Sequence, residues 1–304
     1  MLKPKAAQPH NHWDNLSDEQ LLDLELQVDD PRTLPGLVFD VPEGPEEPHV
    51  EFKYDLRGED IEEFHCVHGH HRHKAGFVMR KGKDRFMVGH ICGKSIYGED
   101  FDRYTADYNA AVNRQDALIR VRDLRHAVGA FGKWVDETAA SDAAIHFDEV
   151  GRKLAKMPTV IDVLTGRIEL TNRDVRLPRY LLGSGHDLAG ELHRLMMETA
   201  KVVTSLTGPT DVVAGRIGAV REGIAGLLRR ANRIMDRLAD VETFFQPAVV
   251  HVICESIDAA VPRRRRHFAG LMKITTRDVC LEMPAGFKTP SRAPIEAMQR
   301  LLSS

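Results

Sequence analysis

Residues 101–135 read FDRYTADYNAAVNRQDALIRVRDLRHAVGAFGKWV, and this stretch decides the fold class. Most of its apolar residues recur three or four positions apart: Phe101, Tyr104, Tyr108, Ala111, Leu118, Val121, Leu124, Val128, Phe131 and Val135. That spacing places them along one side of an α-helix, in a pattern close to a heptad repeat. The stretch therefore predicts a long amphipathic helix from Asp100 to Glu137.

A second long helix is predicted from Asp211 to Phe245, where Ile224, Leu227 and Leu238 belong to the same kind of stripe. At a rise of 1.5 Å per residue, each helix would be about 50 Å long. Isolated helices are marginal in water, so both must bury their stripes, against each other or against a second copy of the chain. We expect a mainly α fold, an elongated helical bundle in which the two helices form a coiled-coil-like hairpin.

Shorter elements are predicted from local patterns. Ser17 and Gln20 form a capping-box pattern, which predicts a helix to about Val28. Gly82 separates two apolar runs, and this predicts a β-hairpin. Towards the C-terminus, we expect helices at 186–206, 246–260 and 293–302, and a hairpin between 271–275 and 279–283.

Histidine and cysteine are concentrated between residues 65 and 92. Six of the fifteen histidines and two of the four cysteines lie there, within FHCVHGHHRH (64–73) and VGHICGKS (88–95). Imidazole and thiolate are the ligands that Zn²⁺ prefers, and a tetrahedral site needs four of them. The hairpin would bring the two runs together, so the predicted cofactor is Zn²⁺.

Cys66 and Cys92 are the predicted anchors of this metal site, one in each run. His73, just before the hairpin, and His90, two residues before Cys92, are the predicted third and fourth ligands. The fourth position has alternatives within reach of the same loop, which are His68, His70 and His71.

The pattern around Cys66 and Cys92 resembles small zinc-binding modules of the zinc-ribbon and treble-clef type. In such modules two ligand pairs flank a β-hairpin, and the second pair leads into a helix. The resemblance covers residues 62–104, although Gly69 and Gly89 stand where C-x2-C pairs would have cysteine. It implies a small β module near the N-terminus with a structural Zn²⁺.

A metal-dependent hydrolase is an alternative for the same cluster. Catalytic zinc keeps an open coordination position and has a carboxylate base nearby. Glu62 and Glu63 are close in sequence, but no H-E-x-x-H arrangement exists. The interpretation therefore leans against an enzyme and assigns no catalytic residue.

A basic run is the second candidate binding feature, formed by Arg263, Arg264, Arg265 and Arg266. Consecutive arginines attract the phosphates of DNA or RNA without base specificity. They could instead dock a protein partner or the acidic segment Asp14–Glu63, whose basic residues are Arg32, Lys53 and Arg57. Both alternatives stay open at this point.

Four regions are predicted: an acidic, proline-rich and partly disordered segment (1–60), a Cys/His zinc module with a hairpin (61–98), a long-helix region (99–246), and a C-terminal helix and hairpin region (247–304).

The four cysteines are irregularly spaced and do not form a disulfide framework. No apolar run approaches the roughly 20 residues that span a bilayer, so we expect no membrane partner. The net charge of −3 and the 42% apolar content are ordinary for a cytoplasmic protein.

These features favour a non-enzymatic zinc-binding scaffold or protein-interaction protein, with a protein partner or a homodimer. The alternative is a DNA/RNA-binding accessory protein that contacts the phosphate backbone.

Overall fold

The structure is a computed structural model of the 304-residue chain. It describes residues 11–58, 63–68, 71–178, 181, 187–261, 273–275 and 279–303. The chain divides into two compact units, Met1–Arg120 and Val121–Ser304. Most of the described residues are helical, and the mainly α prediction is confirmed at that level.

The first unit contains a small mixed β-sheet and the start of the longest helix. Its elements are α1 (Asp18–Leu22), β1 (Leu37–Val38), β2 (His49–Asp55), β3 (Phe64–His65), β4 (Arg72–His73), β5 (Ala75–Lys81), β6 (Asp84–Val88), α2 (His90–Tyr97) and α3 (Glu99–Ala139). Helix α3 continues into the second unit.

The sheet has the strand order β1-β6-β5-β2. Strands β5 and β6 form the antiparallel hairpin that Gly82 predicted, and Gly82 adopts the left-handed φ of 61° that the turn requires. Strand β2 pairs with β5 antiparallel, whereas β1 pairs with β6 parallel. A separate pair, β3 with β4, precedes the hairpin.

The acidic segment is packed over residues 11–58, where the sequence predicted an extended and partly disordered chain. Trp13, Leu21 and Leu26 are each at most 5% exposed and belong to the core of the first unit. The capping box at Ser17 is present, but α1 ends at Leu22 instead of Val28. Side chains of α3 explain the early end, because they take carbonyl groups that a longer helix would use.

Two of these side chains are polar groups on α3. The Gln115 amide donates to the carbonyls of Leu21 and Leu24 at 2.6 and 2.7 Å. The Tyr108 hydroxyl donates to the carbonyl of Leu26. These bonds satisfy the backbone of an irregular segment that would otherwise be costly to bury.

Two glycines set how closely α2 packs. A Cβ at Gly93 would lie 2.3 Å from the ring of Phe101, and one at Gly89 would lie 2.6 Å from the ring of His73. Both distances are too short for a real side-chain contact. Glycine at these positions therefore lets the first turn of α2 approach β4 and the first turn of α3.

The second unit is a helical assembly with a two-stranded sheet. Besides the second half of α3, it contains α4 (Asp142–Leu154), α5 (Pro158–Leu164), α6 (Leu188–Ser205), α7 (Thr210–Ala214), α8 (Ile217–Phe244), α9 (Pro247–Ala260), β7 (Lys273–Thr275), β8 (Cys280–Glu282) and α10 (Ala293–Ser303). Strands β7 and β8 pair antiparallel, as the sequence predicted.

Helix α8 is the centre of this unit. Its buried stripe includes Ile224, Leu227, Ile234 and Leu238. Its main neighbours are α6, α10, α4 and α9. The predicted single helix 211–245 is divided into α7 and α8, with a break at Gly215 and Arg216.

The coiled-coil-like hairpin of the two long helices is not supported. The stripe of α3 is shared between two cores: its residues up to Leu118 pack in the first unit, and those from Val121 pack in the second. Periodicity identified the buried side of α3 correctly, but it does not specify what covers that side. No helix among the described residues is long and apolar enough to cross a membrane.

Candidate functional site

The two cysteines of the Cys/His cluster lie together in the first unit. Cys66 directly follows β3, and its backbone N–H donates to the carbonyl of His71 at 2.9 Å. Cys92 lies in the first turn of α2, three residues after the N-cap residue Gly89. Both side chains are buried, at 5% and 3% exposure. We call the group formed by Cys66, Cys92 and His73 the thiol cluster.

Each sulfur of the thiol cluster lies near a backbone carbonyl oxygen. The Cys66 sulfur is 3.9 Å from the carbonyl oxygen of Met87, and the Cys92 sulfur is 3.5 Å from the carbonyl oxygen of His68. Carbonyl oxygens accept hydrogen bonds, so both contacts favour the protonated thiol.

The two thiols differ in pKa. Burial alone would raise the pKa of Cys66, but the polar groups around its sulfur lower the pKa to about 7. Burial and the neighbouring Cys66 side chain raise the pKa of Cys92 to about 11. Cys66 is therefore the more acidic of the two thiols.

His73 is held by a contact with Tyr54. Its Nδ1 is 3.1 Å from the hydroxyl oxygen of Tyr54. Its Nε2 is buried and has no hydrogen-bond partner among the described residues. Gly89, which leaves room for the ring, completes the packing of His73.

The predicted zinc-ribbon or treble-clef module is wrong. Within the part of the chain that the structure describes, no group of three or more His, Cys, Asp or Glu side chains is arranged to hold a metal ion. His90 is exposed and its ring lies 5.7 Å from that of Phe101. His68 and His71 are exposed, and His70 lies outside the described residues.

Whether Cys66, Cys92, His73 and His90 bind a metal ion together stays a prediction. Whether the protein carries Zn²⁺ stays a prediction, which elemental analysis of the purified protein measures. The basic run Arg263, Arg264, Arg265 and Arg266 also lies outside the described residues.

A small cavity of about 270 Å³ is a second feature of the first unit that the sequence did not predict. Its lining includes the ion pair of Arg103 with Glu47, together with Asp107. The imidazoles of His12 and His49, also in the lining, are stacked at 3.9 Å between ring centroids. The cavity lies just below the usual size of ligand pockets, and we assign no ligand to it.

The stacked histidines predict a dependence of stability on pH. Burial lowers the pKa of His49 from 6.5 to about 4, and the neighbouring His12 and Arg80 act in the same direction. Between these values the unfolded state binds more protons than the folded state, so stability is lost as the pH falls from 6.5 towards 4. His49→Gln should remove about 1 kcal/mol of that loss, after allowance for the partial exposure of the ring.

Urea titrations at pH 7 and pH 4 measure this effect as the difference between wild type and variant. His126→Gln, at an exposed position of α3, is the control and should leave the pH dependence unchanged. An identical pH dependence for wild type and His49→Gln would show that His49 titrates normally in the folded protein.

Helix α6 of the second unit has two apolar faces. Its inner face, which includes Leu188, Leu192, Leu195 and Val202, is buried in the core. A second stripe is exposed: Met196, Met197 and Val203 have exposed fractions of 37%, 52% and 42%. We call this stripe the outer face of α6. These residues are visible as apolar positions in the sequence. Because the outer face adjoins the buried stripe on the helix surface, the sequence alone did not distinguish the two.

A groove of about 410 Å³ adjoins Val203 on this face. It is lined by Val128 and Gly129 of α3 and by Leu206, among others. The Arg125 guanidinium closes one end by donating to the carbonyls of Leu206 and Gly208, at 2.8 Å each. A Cβ at Gly129 would meet no atom within 4 Å, so space above this residue is open.

The charges beside the outer face are mainly positive. Arg194 and Lys201 lie three residues before and four residues after Met197, so they flank it on the helix surface. In the part of the chain that is described, neither cation has an ion-pair partner, whereas Glu198 is paired with Arg230 at 2.9 Å.

Comparison of the chain with protein-family models, with curated proteins and with solved structures found no match.

Proposed function

We propose that this chain is a non-enzymatic protein-interaction protein, which binds an acidic amphipathic helix of a partner on the outer face of α6. The exposed second stripe of α6 carries the proposal. An apolar helix face that the described part of the chain leaves exposed, next to an apolar groove, is typical of helix-in-groove recognition. The sites of the first unit are not needed for this function.

The dimensions of the surface suit a helix. From Met196 to Val203 the stripe is about 10 Å long, or two helical turns. Side chains of a partner helix at positions i and i+7 would lie at its two ends. Gly129 lets the partner approach α3 closely, and Val128 and Leu206 offer apolar contact for a terminal side chain.

The charges favour an acidic partner over a second copy of the chain. Arg194 and Lys201 would attract carboxylates on the flanks of a bound helix. A twofold interface formed by two outer faces would bring these cations close to their counterparts in the other copy. Like charges in such positions oppose association, so a heterologous partner is the better occupant.

Binding can be measured with a fluorescein-labelled peptide that has leucine at helical spacing and glutamate on its flanks. We expect the wild type to bind it and to bind the matched peptide with lysine flanks at least about tenfold more weakly. Met197→Glu with Val203→Glu should weaken binding of the acidic peptide by about tenfold or more, because it removes apolar contact and adds repulsion.

Ile145→Glu is the matched control, since Ile145 is 61% exposed on α4 and is not among the residues of the outer face. This variant should bind like the wild type. Equal affinity for a scrambled peptide would contradict the proposal. Sedimentation showing a dimer that the double variant dissociates would assign the surface to self-association instead.

The nucleic-acid and hydrolase alternatives from the sequence stay predictions. No contact among the described residues favours either of them, so neither is developed further.

A further inference from the structure

We infer that the partner helix ends at the groove beside Val203, with an apolar C-terminal residue in the groove and its free carboxylate bound by Arg125. This inference rests on the function proposed for the outer face of α6, and it specifies which part of the partner is recognised. The position of a fixed guanidinium beside an open apolar groove carries it.

The first observation is that Arg125 is held in place. It is an exposed residue of α3 that lines the groove. Its Nε donates to the carbonyl of Leu206 and its Nη2 donates to the carbonyl of Gly208, at 2.8 Å each. Because these bonds already order the side chain, a ligand that binds the guanidinium loses little affinity to the cost of ordering it.

The second observation is that this guanidinium keeps both charge and donors for a ligand. Its two bonds to carbonyls use only part of its N–H groups. Both of these acceptors are neutral, and no carboxylate of the described residues forms an ion pair with Arg125. The planar fork of an arginine matches the two oxygens of a carboxylate, so a carboxylate is the ligand that it suits best.

The third observation is that open space and apolar surface lie beside the cation. Gly129 follows Arg125 by four positions, so the two are neighbours on one side of α3. A Cβ at Gly129 would meet no atom within 4 Å. Val203, which is 42% exposed, borders the same groove. A side chain of the partner can therefore lie over Gly129, against Val203 and next to the guanidinium.

This combination suits a chain end better than a glutamate within a helix. In a C-terminal residue the side chain and the carboxylate are attached to one carbon atom, so a site that binds both needs a cation next to an apolar wall. The last turn of a helix also has carbonyl groups without intrahelical partners, which the remaining N–H groups of Arg125 can bind. Because the groove lies beside Val203 and Leu206, at the C-terminal end of α6, the partner helix would run in the same direction as α6.

Three peptides test the position of the carboxylate. All are labelled with fluorescein at the N-terminus and have leucine at helical spacing and glutamate on the flanks. The first ends in leucine with a free carboxylate, the second ends in the same leucine as an amide, and the third has two serines and a free carboxylate after that leucine. We expect the first to bind the full-length protein about tenfold more tightly than either of the others. The third has the net charge of the first, so total charge alone cannot explain a difference between them.

Arg125→Gln tests the residue itself, because glutamine keeps a donor for a carbonyl but removes the charge. We expect this variant to bind the acid and the amide peptides equally, with its affinity for the amide peptide unchanged. Arg122→Gln is the matched control, since Arg122 is 61% exposed on the same helix and is not among the residues that line the groove. It should keep the preference for the free carboxylate.

The outcomes separate this inference from the function on which it rests. Equal affinity of the wild type for the acid and the amide peptides, or for the first and the third, would overturn the inference. The proposed function would survive that result if Met197→Glu with Val203→Glu still weakens binding. An Arg125→Gln variant that loses affinity for the acid and the amide peptides by the same factor would also overturn it, since Arg125 would then only support the end of α6. If none of the three peptides binds, the proposed function fails, and the inference fails with it.

Discussion

Leu227→Asp is expected to lower the free energy of unfolding of the second unit by about 5 kcal/mol, the largest effect that we predict. Leu227 is 1% exposed and lies on the buried stripe of α8. The substitution removes apolar contacts and places a carboxylate among the buried apolar side chains of this core. Since whole domains are stable by about 5 to 15 kcal/mol, the variant should be largely unfolded at moderate temperature.

Urea denaturation followed by circular dichroism measures this loss. Ala219→Asp is the control, because Ala219 is exposed in the first turn of the same helix. An acidic residue there is tolerated or slightly favourable, owing to the helix dipole. A Leu227→Asp variant with the stability of the control would mean that α8 does not pack as the structure shows.

Glu191→Ala is expected to lower the free energy of unfolding by about 3 kcal/mol. The side chain of Arg237 on α8 is only 10% exposed and forms an ion pair with Glu191 of α6 at 2.7 Å. Its guanidinium also lies 4.8 Å from the ring centroid of Phe147. Removing the carboxylate takes a counter-ion away from a guanidinium that is mostly buried, and this costs more than the loss of an exposed ion pair.

The double variant Arg237→Met/Glu191→Ala separates these contributions. We expect it to be more stable than Glu191→Ala alone, because methionine fills the site without a charge. Glu169→Ala is the matched surface control: its pair with Arg173 is more than 80% exposed on both sides, so its loss should cost less than about 1 kcal/mol. If Glu191→Ala costs no more than Glu169→Ala, solvent reaches Arg237 far more than the fold indicates.

The predictions that depended on neighbouring residues agree well with the structure. The turn at Gly82 and the capping box at Ser17 are both present. Helices α6, α9 and α10 lie within a few residues of their predicted bounds. In these cases the determining contacts are local, so a short stretch of sequence contains most of the information.

The predictions that depended on residues distant in sequence agree less well with the structure. The sequence predicted that the hairpin brings Cys66, Cys92 and His73 together, but it did not reveal that the hydroxyl oxygen of Tyr54 lies 3.1 Å from Nδ1 of His73. It also grouped His90 with them by spacing alone. The orientation of a side chain depends on what packs against it, and Phe101 lies beside His90.

The acidic segment shows the same limit. Its prolines and carboxylates predicted an extended chain, whereas Tyr108 and Gln115, more than 80 positions away, bind its carbonyl groups. Secondary-structure propensity describes how a segment behaves in isolation. The acidic segment has little propensity for regular structure, and hydrogen bonds from α3 stabilise it instead. Nothing within the segment itself indicates that these bonds exist.

By itself, the sequence determined the helical class, the β5–β6 hairpin and the buried side of each long helix, since these follow from periodicity and turn chemistry. Only the tertiary structure decided which surface covers each apolar side. It divided the stripe of α3 between two cores and left the outer face of α6 exposed. The physical reason is that burial is non-directional: a pattern shows that a side chain must be covered, and packing selects the partner.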